Sequence, residues 1–350
     1  MIPGRLRTGW APWVWNAVFF LALAAGTQWI ARQSGPWDPS AWSAPWSGDV
    51  ILVLATLLLL GLAFAMPLHS GVLNLGIYAQ FLAGFAAAAV VARLTAIEPN
   101  ARALLAALAG AGVGALTGLV ILGLKWRFAV HEVLSGILLG GLLAPAARAA
   151  PLAHASLPAL TVEAALPGAP PWAPGFGLTN DVMLAGGVAA LVFGILVALS
   201  FAHLLRASAP GFDLRIVGSN PLAAVAAGVD VERAQGTTLT WAGACAGLAG
   251  AVQLWTHSSS ALERWPVPLA LAGLTVAVYG RGTTRGVLLA SLLFAAWINA
   301  PGTPVFLGHP GWIAAVAALL FLPALWVLPR LSPDQGAPRA LWRTRHRETY

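Results

Sequence analysis

The sequence predicts an all-α fold, a polytopic transmembrane helical bundle of about ten spans with both termini cytoplasmic. Composition is the first observation behind this. Of 350 residues, 59% are hydrophobic and only 9% are charged, whereas a soluble domain carries about 25% charged residues. So few charges cannot cover a water-facing surface, and lipid is the solvent that accommodates the rest. Recurrence is the second. Apolar stretches lie at 11–31, 50–66, 72–92, 103–124, 131–147, 181–203, 236–256, 266–280, 286–300 and 311–329. Charge is the third. With the N-terminus inside and each stretch crossing once, 14 of the 19 Lys and Arg fall inside and five outside, as membrane orientation by positive loops requires. Adding or deleting one span would invert everything downstream and spoil that bias.

Arg5 and Arg7 precede the first stretch. Its length, about 20 residues, exceeds the roughly 7–15 of a signal-peptide core. Trp10, Trp13, Trp15 and Trp29 bracket it like an interfacial belt, so a retained first helix is expected. Several later stretches fall short of the roughly 20 residues of a full crossing and are expected to be tilted or broken. Residues 148–180 form a Pro- and Ala-rich external loop, most simply a surface loop and otherwise a docking site for an external partner. Residues 204–235 form a polar inner loop bounded by turn residues. The chain thus divides into a transmembrane domain, 1–330, and a basic cytoplasmic tail, 331–350. Glycines at helical spacing (Gly110, Gly114, Gly118; Gly136, Gly140; Gly243, Gly247) argue for close helix packing.

The net charge of +7 does not point to nucleic acid, because the cations are spread through short loops. The one local run, Arg339, Arg343, Arg345 and Arg347, suits anionic membrane lipid. The single cysteine, Cys245, excludes an internal disulfide and a Cys-rich metal site. No HExxH, GxSxG or P-loop pattern is present. No catalytic residue, metal ligand or cofactor is expected, nor an ATP site of the chain's own. The seven histidines are scattered, most at span ends where an imidazole reaches water. No charge pair falls in mid-span, which argues against a proton-coupled pump.

Four local features remain. In Gly71-Val-Leu-Asn74-Leu-Gly76, an Asn between glycines opens the third span. It either lines a broken segment facing a pathway, together with Tyr78 and Gln80, or caps the helix. His131-Glu132-Val-Leu-Ser135-Gly136 opens the fifth span, where Glu132 either answers the helix dipole or serves the pathway. In the inner loop, Asn220 suits an N-cap, Pro221 the first helical position and Gly228 the residue just past the end. That marks a helix of about two turns, too short to stand alone. Leu222 and Val225 give it an apolar edge and the alanines a smooth face. It either seals the bundle or offers a handle to a soluble motor. Tyr279 to Gly286 make an inner hairpin, either merely positive-inside or part of the same surface.

The order and spacing of these features resemble the permease subunits of bacterial ABC importers for nucleosides, simple sugars and branched-chain amino acids, closest to the nucleoside and simple-sugar branch. Gly71, Asn74, Leu75 and Gly76 match that family's early motif. Glu132, Val133 and Ser135 match the motif opening its mid-chain helix. Leu214, Arg215, Val217, Gly218, Asn220, Pro221, Ala223, Ala224, Ala227 and Gly228 match its cytoplasmic loop motif. Gly247 to Ala251, then Gly280 and Arg281, follow in order. The resemblance covers about residues 50–325. Tyr78-Ala79 and His131 depart from the pattern, where the family carries Glu-Gly and Asn.

The resemblance implies a transport subunit and not an enzyme, in the bacterial inner membrane. It implies a second permease subunit, identical or related, two cytoplasmic ATP-binding subunits and an external solute-binding protein. Asn74, Gly76, Tyr78, Gln80, Glu132 and Ser135 are the expected pathway residues. Arg215, Gly218, Asn220, Pro221, Ala224 and Gly228 are the expected contacts for ATPase coupling. A branched-chain amino acid permease is the rival within transport. A membrane-embedded enzyme or a non-transport scaffold is the rival outside it.

Overall fold

The computed structural model describes residues 48–94, 96–149, 180–256 and 266–298. The expected spans 11–31 and 311–329, nearly all of the external loop and the basic tail lie outside the described residues. Those described are helical, with no strand among them. In chain order they are α1 (Gly48–Leu68), α2 (Ile77–Ala92), α3 (Pro99–Phe128), α4 (Glu132–Ala149), α5 (Asn180–Ala207), α6 (Ala209–Ser219), α7 (Pro221–Ala226), α8 (Val231–Thr256), α9 (Pro266–Tyr279) and α10 (Thr284–Ile298). Within α1, α3 and α5, the stretches Ile51–Leu68, Ala101–Phe128 and Gly187–Ala207 are long and apolar enough to cross a bilayer, while α2, α4 and α10 contain shorter apolar helices.

A helix that is apolar on every side belongs either in lipid or in the interior of a bundle, and enclosure by neighbours tells the two apart. For α1 it is the interior. Leu52, Leu57, Leu58, Leu59, Leu60, Leu62 and Phe64 are almost wholly enclosed, by α5, α8, α9 and α10 packed around it. Beside this pillar, α2, α3 and α8 form a triad in which backbones meet directly. A Cβ placed on Gly114 would lie 2.7 Å from Gly247 Cα, and one on Gly118 would lie 2.7 Å from the Leu239 carbonyl oxygen. Gly84 of α2 abuts Gly247 in the same way. Hydrocarbon tails are as apolar as leucine, so helices in lipid gain by close approach, which small residues permit. The opposite face of α3 points outward, with Leu104, Leu108 and Leu116 more than half exposed, as are Leu138 and Leu142 of α4.

Helix ends follow local chemistry. Glu98 caps α3 by accepting from Ala101 N–H at 2.9 Å, Pro99 occupies the first turn, and Lys125 and Arg127 in the last turn suit the dipole. Thr283 caps α10, its Oγ1 accepting from Gly286 N–H at 3.2 Å.

The structure moves several expected boundaries. The stretch beginning at 72 is non-helical until Ile77, and α8 begins at Val231, five residues ahead of the apolar run that marks it. The inner loop 204–235 is largely helix, because α5 continues to Ala207 and α6 precedes the short helix expected after Asn220.

The glycine seam gives a test in which two effects compete. Alanine gains about 1 kcal/mol over glycine in a helix, but overpacking costs about 1–3 kcal/mol. Gly112→Ala, on the open face of α3 with nothing within 4 Å, is expected to raise thermal stability in detergent. Gly114→Ala is expected to lower it.

Candidate functional site

The last turn of α1 contains Pro67, which has no N–H to give to the Ala63 carbonyl one turn back. The chain then folds tightly on itself. The Pro67 carbonyl accepts from Ser70 N–H and Val72 N–H, each at 3.0 Å, and from Ser70 Oγ at 2.9 Å. Gly71 turns with φ of 74°, a backbone state glycine enters without strain. Asn74 then comes back beneath α1. It is 2% exposed, and its Nδ2 donates to the Ala63 carbonyl at 3.1 Å and to Gln80 Oε1 at 2.9 Å. Asn74 therefore does not cap α2. That position belongs to Gly76, which offers no side chain. Gln80 is fully buried, and among the described residues its Nε2 has no partner.

Helix α4 lies across this break. A Cβ on Gly136 would sit 2.6 Å from Gly76 N, and one on Gly140 would sit 2.9 Å from Tyr78 Cδ1. The Tyr78 ring thus rests half-buried on α4. Ser135 Oγ turns back to the Glu132 carbonyl at 3.2 Å. Glu132, 8% exposed, takes Lys125 Nζ at 3.3 Å. Its position at the start of α4 also suits the helix dipole. Lys125 donates onward to Gln235 Oε1 at 3.1 Å. Gln235 Nε2 reaches the Ser70 carbonyl at 3.4 Å, and Ser70 Oγ meets Thr238 Oγ1 at 2.8 Å. One polar chain therefore joins α3, α4, α8 and the broken turn. The Glu132 charge is matched inside the protein.

The loop helices meet the same turn. Ser208 caps α6 by accepting from Gly211 N–H at 3.1 Å. Leu214 and Val217 bury its inner face, and Gly218 lies directly against the His69 carbonyl and Gly71. Asn220 takes an extended conformation that ends α6, and its Oδ1 accepts from Leu222 and Ala223 N–H at 3.0 and 3.1 Å to start α7. Gly228 closes α7 with φ of 77°. Its N–H bonds the Val225 carbonyl and Val229 N–H the Ala224 carbonyl, the paired pattern of a Schellman cap. Ala224 is buried, while Pro221, Arg215 and Gly228 are exposed. Phe212, Leu222 and Val225 are 55%, 39% and 64% exposed.

The structure brings the expected residues together at one end of the bundle. Asn74, Gly76, Tyr78, Gln80, Glu132 and Ser135 surround the break between α1 and α2, and Gly218 presses on it from the loop. Sequence reasoning missed Pro67, His69, Lys125 and Gln235. Pro67 was the available signal, since a proline late in an apolar run frees a carbonyl that some side chain must answer. His69 sits between two expected spans, the kind of place where most of the histidines are expected to reach water. Instead it is largely buried, its Nε2–H donating to the Gly282 carbonyl at 3.0 Å and its ring meeting Phe201 edge-on at 5.6 Å. It ties the broken turn to the hairpin between α9 and α10, where Arg281 and Gly282 both have positive φ.

Residues 48–325 match the family described as branched-chain amino acid transport system / permease component. The chain belongs to this permease family. The matched range is nearly the one on which the motif resemblance rested. The permease is 30% identical over 329 residues to the guanosine ABC transporter permease protein NupP of Bacillus subtilis (strain 168), covering 86% of this chain and 89% of that one. It is 29% identical over 160 residues to the nucleoside ABC transporter permease protein NupB of Lactococcus lactis subsp. cremoris (strain MG1363), covering 43% and 42% respectively. A solved inward-facing structure, described as of the metal-chelate ABC transporter type, aligns with 89% of the permease and 99% of its own chain, at 15% identity and a TM-score of 0.46. Family membership makes the permease a transport component and not an enzyme.

His69 supplies a pH prediction. Burial opposes its cation and lowers its proton affinity below the ordinary value, with the Gly282 carbonyl acting in the opposite direction. In the unfolded chain the ring takes up a proton near pH 6.5, so below that point the unfolded state binds more protons. The stability of the permease is expected to fall as pH drops from about 6.5. His69→Gln is expected to flatten that acid limb of a Tm-against-pH curve and leave the alkaline limb unchanged.

Proposed function

We propose that this permease is the membrane subunit of an ABC importer for nucleosides in the bacterial inner membrane. It crosses about ten times with both termini cytoplasmic. It works with a second permease subunit, identical or related, two cytoplasmic ATP-binding subunits and an external solute-binding protein.

The α7 helix carries this reading. Its two ends are fixed by Asn220 and Gly228, and Ala224 holds it to the bundle. Leu222 and Val225 remain exposed beside Phe212. The segment is flanked by Arg206, Asp213, Arg215, Asp230, Glu232 and Arg233, a charge density that suits water and not hydrocarbon. Exposed apolar side chains there fit a soluble protein partner. Arg215 adds a charged contact at the rim. ATP-driven movement of the partner would push α7 and α6 as a unit. Gly218 would pass that displacement to the broken turn without an intervening side chain.

The solute class rests on the broken segment and on the relatives. Tyr78 offers an aromatic face, and Gln80 Nε2 is a donor left unspent among the described residues. Asn74, Gly76 and Ser135 hold the shape of the wall, and Glu132 anchors its inner end. A neutral, ring-bearing solute suits these groups. An amino acid needs partners for both charged ends, and the nearest carboxylate is already held by Lys125. The names of the relatives point to the same solute class.

Two measurements test this. Leu222→Asp with Val225→Asp is expected to cut co-purification with the ATP-binding subunit by about tenfold or more and to abolish uptake; unchanged assembly and uptake overturn the coupling role. A thermal-shift screen of the cognate solute-binding protein is expected to respond to nucleosides, and a response to leucine or valine alone overturns the solute class.

A further inference from the structure

The contact between Asn74 and Ala63 has a meaning beyond the pathway. In an uninterrupted α-helix the Ala63 carbonyl would accept from the N–H of residue 67. Residue 67 is proline, still within the helix. The freed carbonyl belongs to a fully buried residue in a helix enclosed along most of its length, where water cannot answer it. Asn74 Nδ2 answers it at 3.1 Å, from eleven residues further along the chain. One rung in the last turn of α1 is therefore supplied by a side chain in place of the backbone N–H. The other hand of that side chain is on Gln80 of α2. The segment between, 67–76, is the one on which Gly218 of α6 rests.

We propose that Asn74 is a positioning residue that substitutes for the N–H missing at Pro67, and that the two together make the end of α1 a hinge. A backbone ladder breaks only with the helix, whereas an amide on a side chain can let go and return while the helix above stays intact. Asn74 thus helps to keep the hinge closed in this conformation, and its release, together with that of the Ser70–Thr238 and His69–Gly282 bonds, lets the 67–76 turn follow α6.

The test is a thermodynamic cycle on the purified full chain in detergent. Losing the Asn74 bond is expected to lower Tm by roughly 3–6 °C when Pro67 is present. In the Pro67→Ala background the backbone N–H restored at position 67 takes the Ala63 carbonyl, and Asn74→Ala is expected to cost less than half as much. Equal losses in both backgrounds overturn the substitution. Gln80→Leu removes only the other Asn74 bond. Its cost is expected to be the same in both backgrounds, and dependence on residue 67 would overturn the assignment. Should Asn74→Ala alone fail to accumulate, recovery of folded protein in the double variant supports the proposal and continued failure overturns it.

A second arm reads the hinge in transport and rests on the nucleoside reading. With radiolabelled guanosine, Pro67→Ala is expected to lower the maximal uptake rate several-fold with little change in half-saturation. A wild-type rate overturns the hinge. If the wild-type chain itself moves no guanosine, the solute reading fails, and the Tm cycle still decides the role of Asn74.

Discussion

Inside a bilayer no water is present to answer a backbone N–H or carbonyl, so every interruption of a helix must be closed by the protein itself. The break between α1 and α2 depends on that constraint. The gap at Pro67 is closed by Asn74. The exposed loop helices are closed as carefully although water could reach them, and the end of α6 and the start of α7 share one residue, Asn220. The end of α7 is closed by Gly228 and Val229, and the turn into α10 by Thr283. Each closure uses a short polar side chain or a glycine, and each sits where the chain departs from a plain span. The irregular parts are consequently the well-specified parts.

The bundle around them divides into two kinds of contact. Around α1, leucine and phenylalanine side chains fill the space between helices. Between α2, α3 and α8, glycines remove the side chains and let backbone touch backbone. The first kind tolerates small shifts by changes of rotamer. The second has no atoms to rearrange, so the triad moves as a block or not at all. The polar chain from Glu132 through Lys125 and Gln235 to Ser70 ties that block to the broken turn.

The helical fold, the family and the punctuation of α7 could all be read in the sequence, because each depends on local chemistry. Low charge speaks for lipid. Asn220, Pro221 and Gly228 act on their own immediate backbone, and their positions hold in the structure. What could not be read depends on partners distant in the chain. Asn74 has the composition of a cap, and only the fold reveals that its amide serves Ala63 and Gln80. Glu132 carries the right charge for the start of a helix, but Lys125 also holds it, through a turn whose geometry hydropathy does not describe. His69 looks like a span-end residue facing water until Phe201 and Gly282 are brought around it from remote positions. The boundaries at Ile77 and Val231 were missed for a related reason. Apolar character continues through the non-helical stretch before α2, and helix continues through the polar stretch that opens α8.

In the proposed coupling, the meeting of Gly218 with His69 and Gly71 would set how the loop and the bundle exchange motion. Two linkages of a machine joined through a long side chain have dead travel, since rotamers absorb the first part of any stroke. Here the joint is peptide against peptide, and no such slack exists. A stroke delivered to the turn in this way would therefore be set by the rigid-body path of α6. Changes to the side chains around the joint alter its strength more than its gearing.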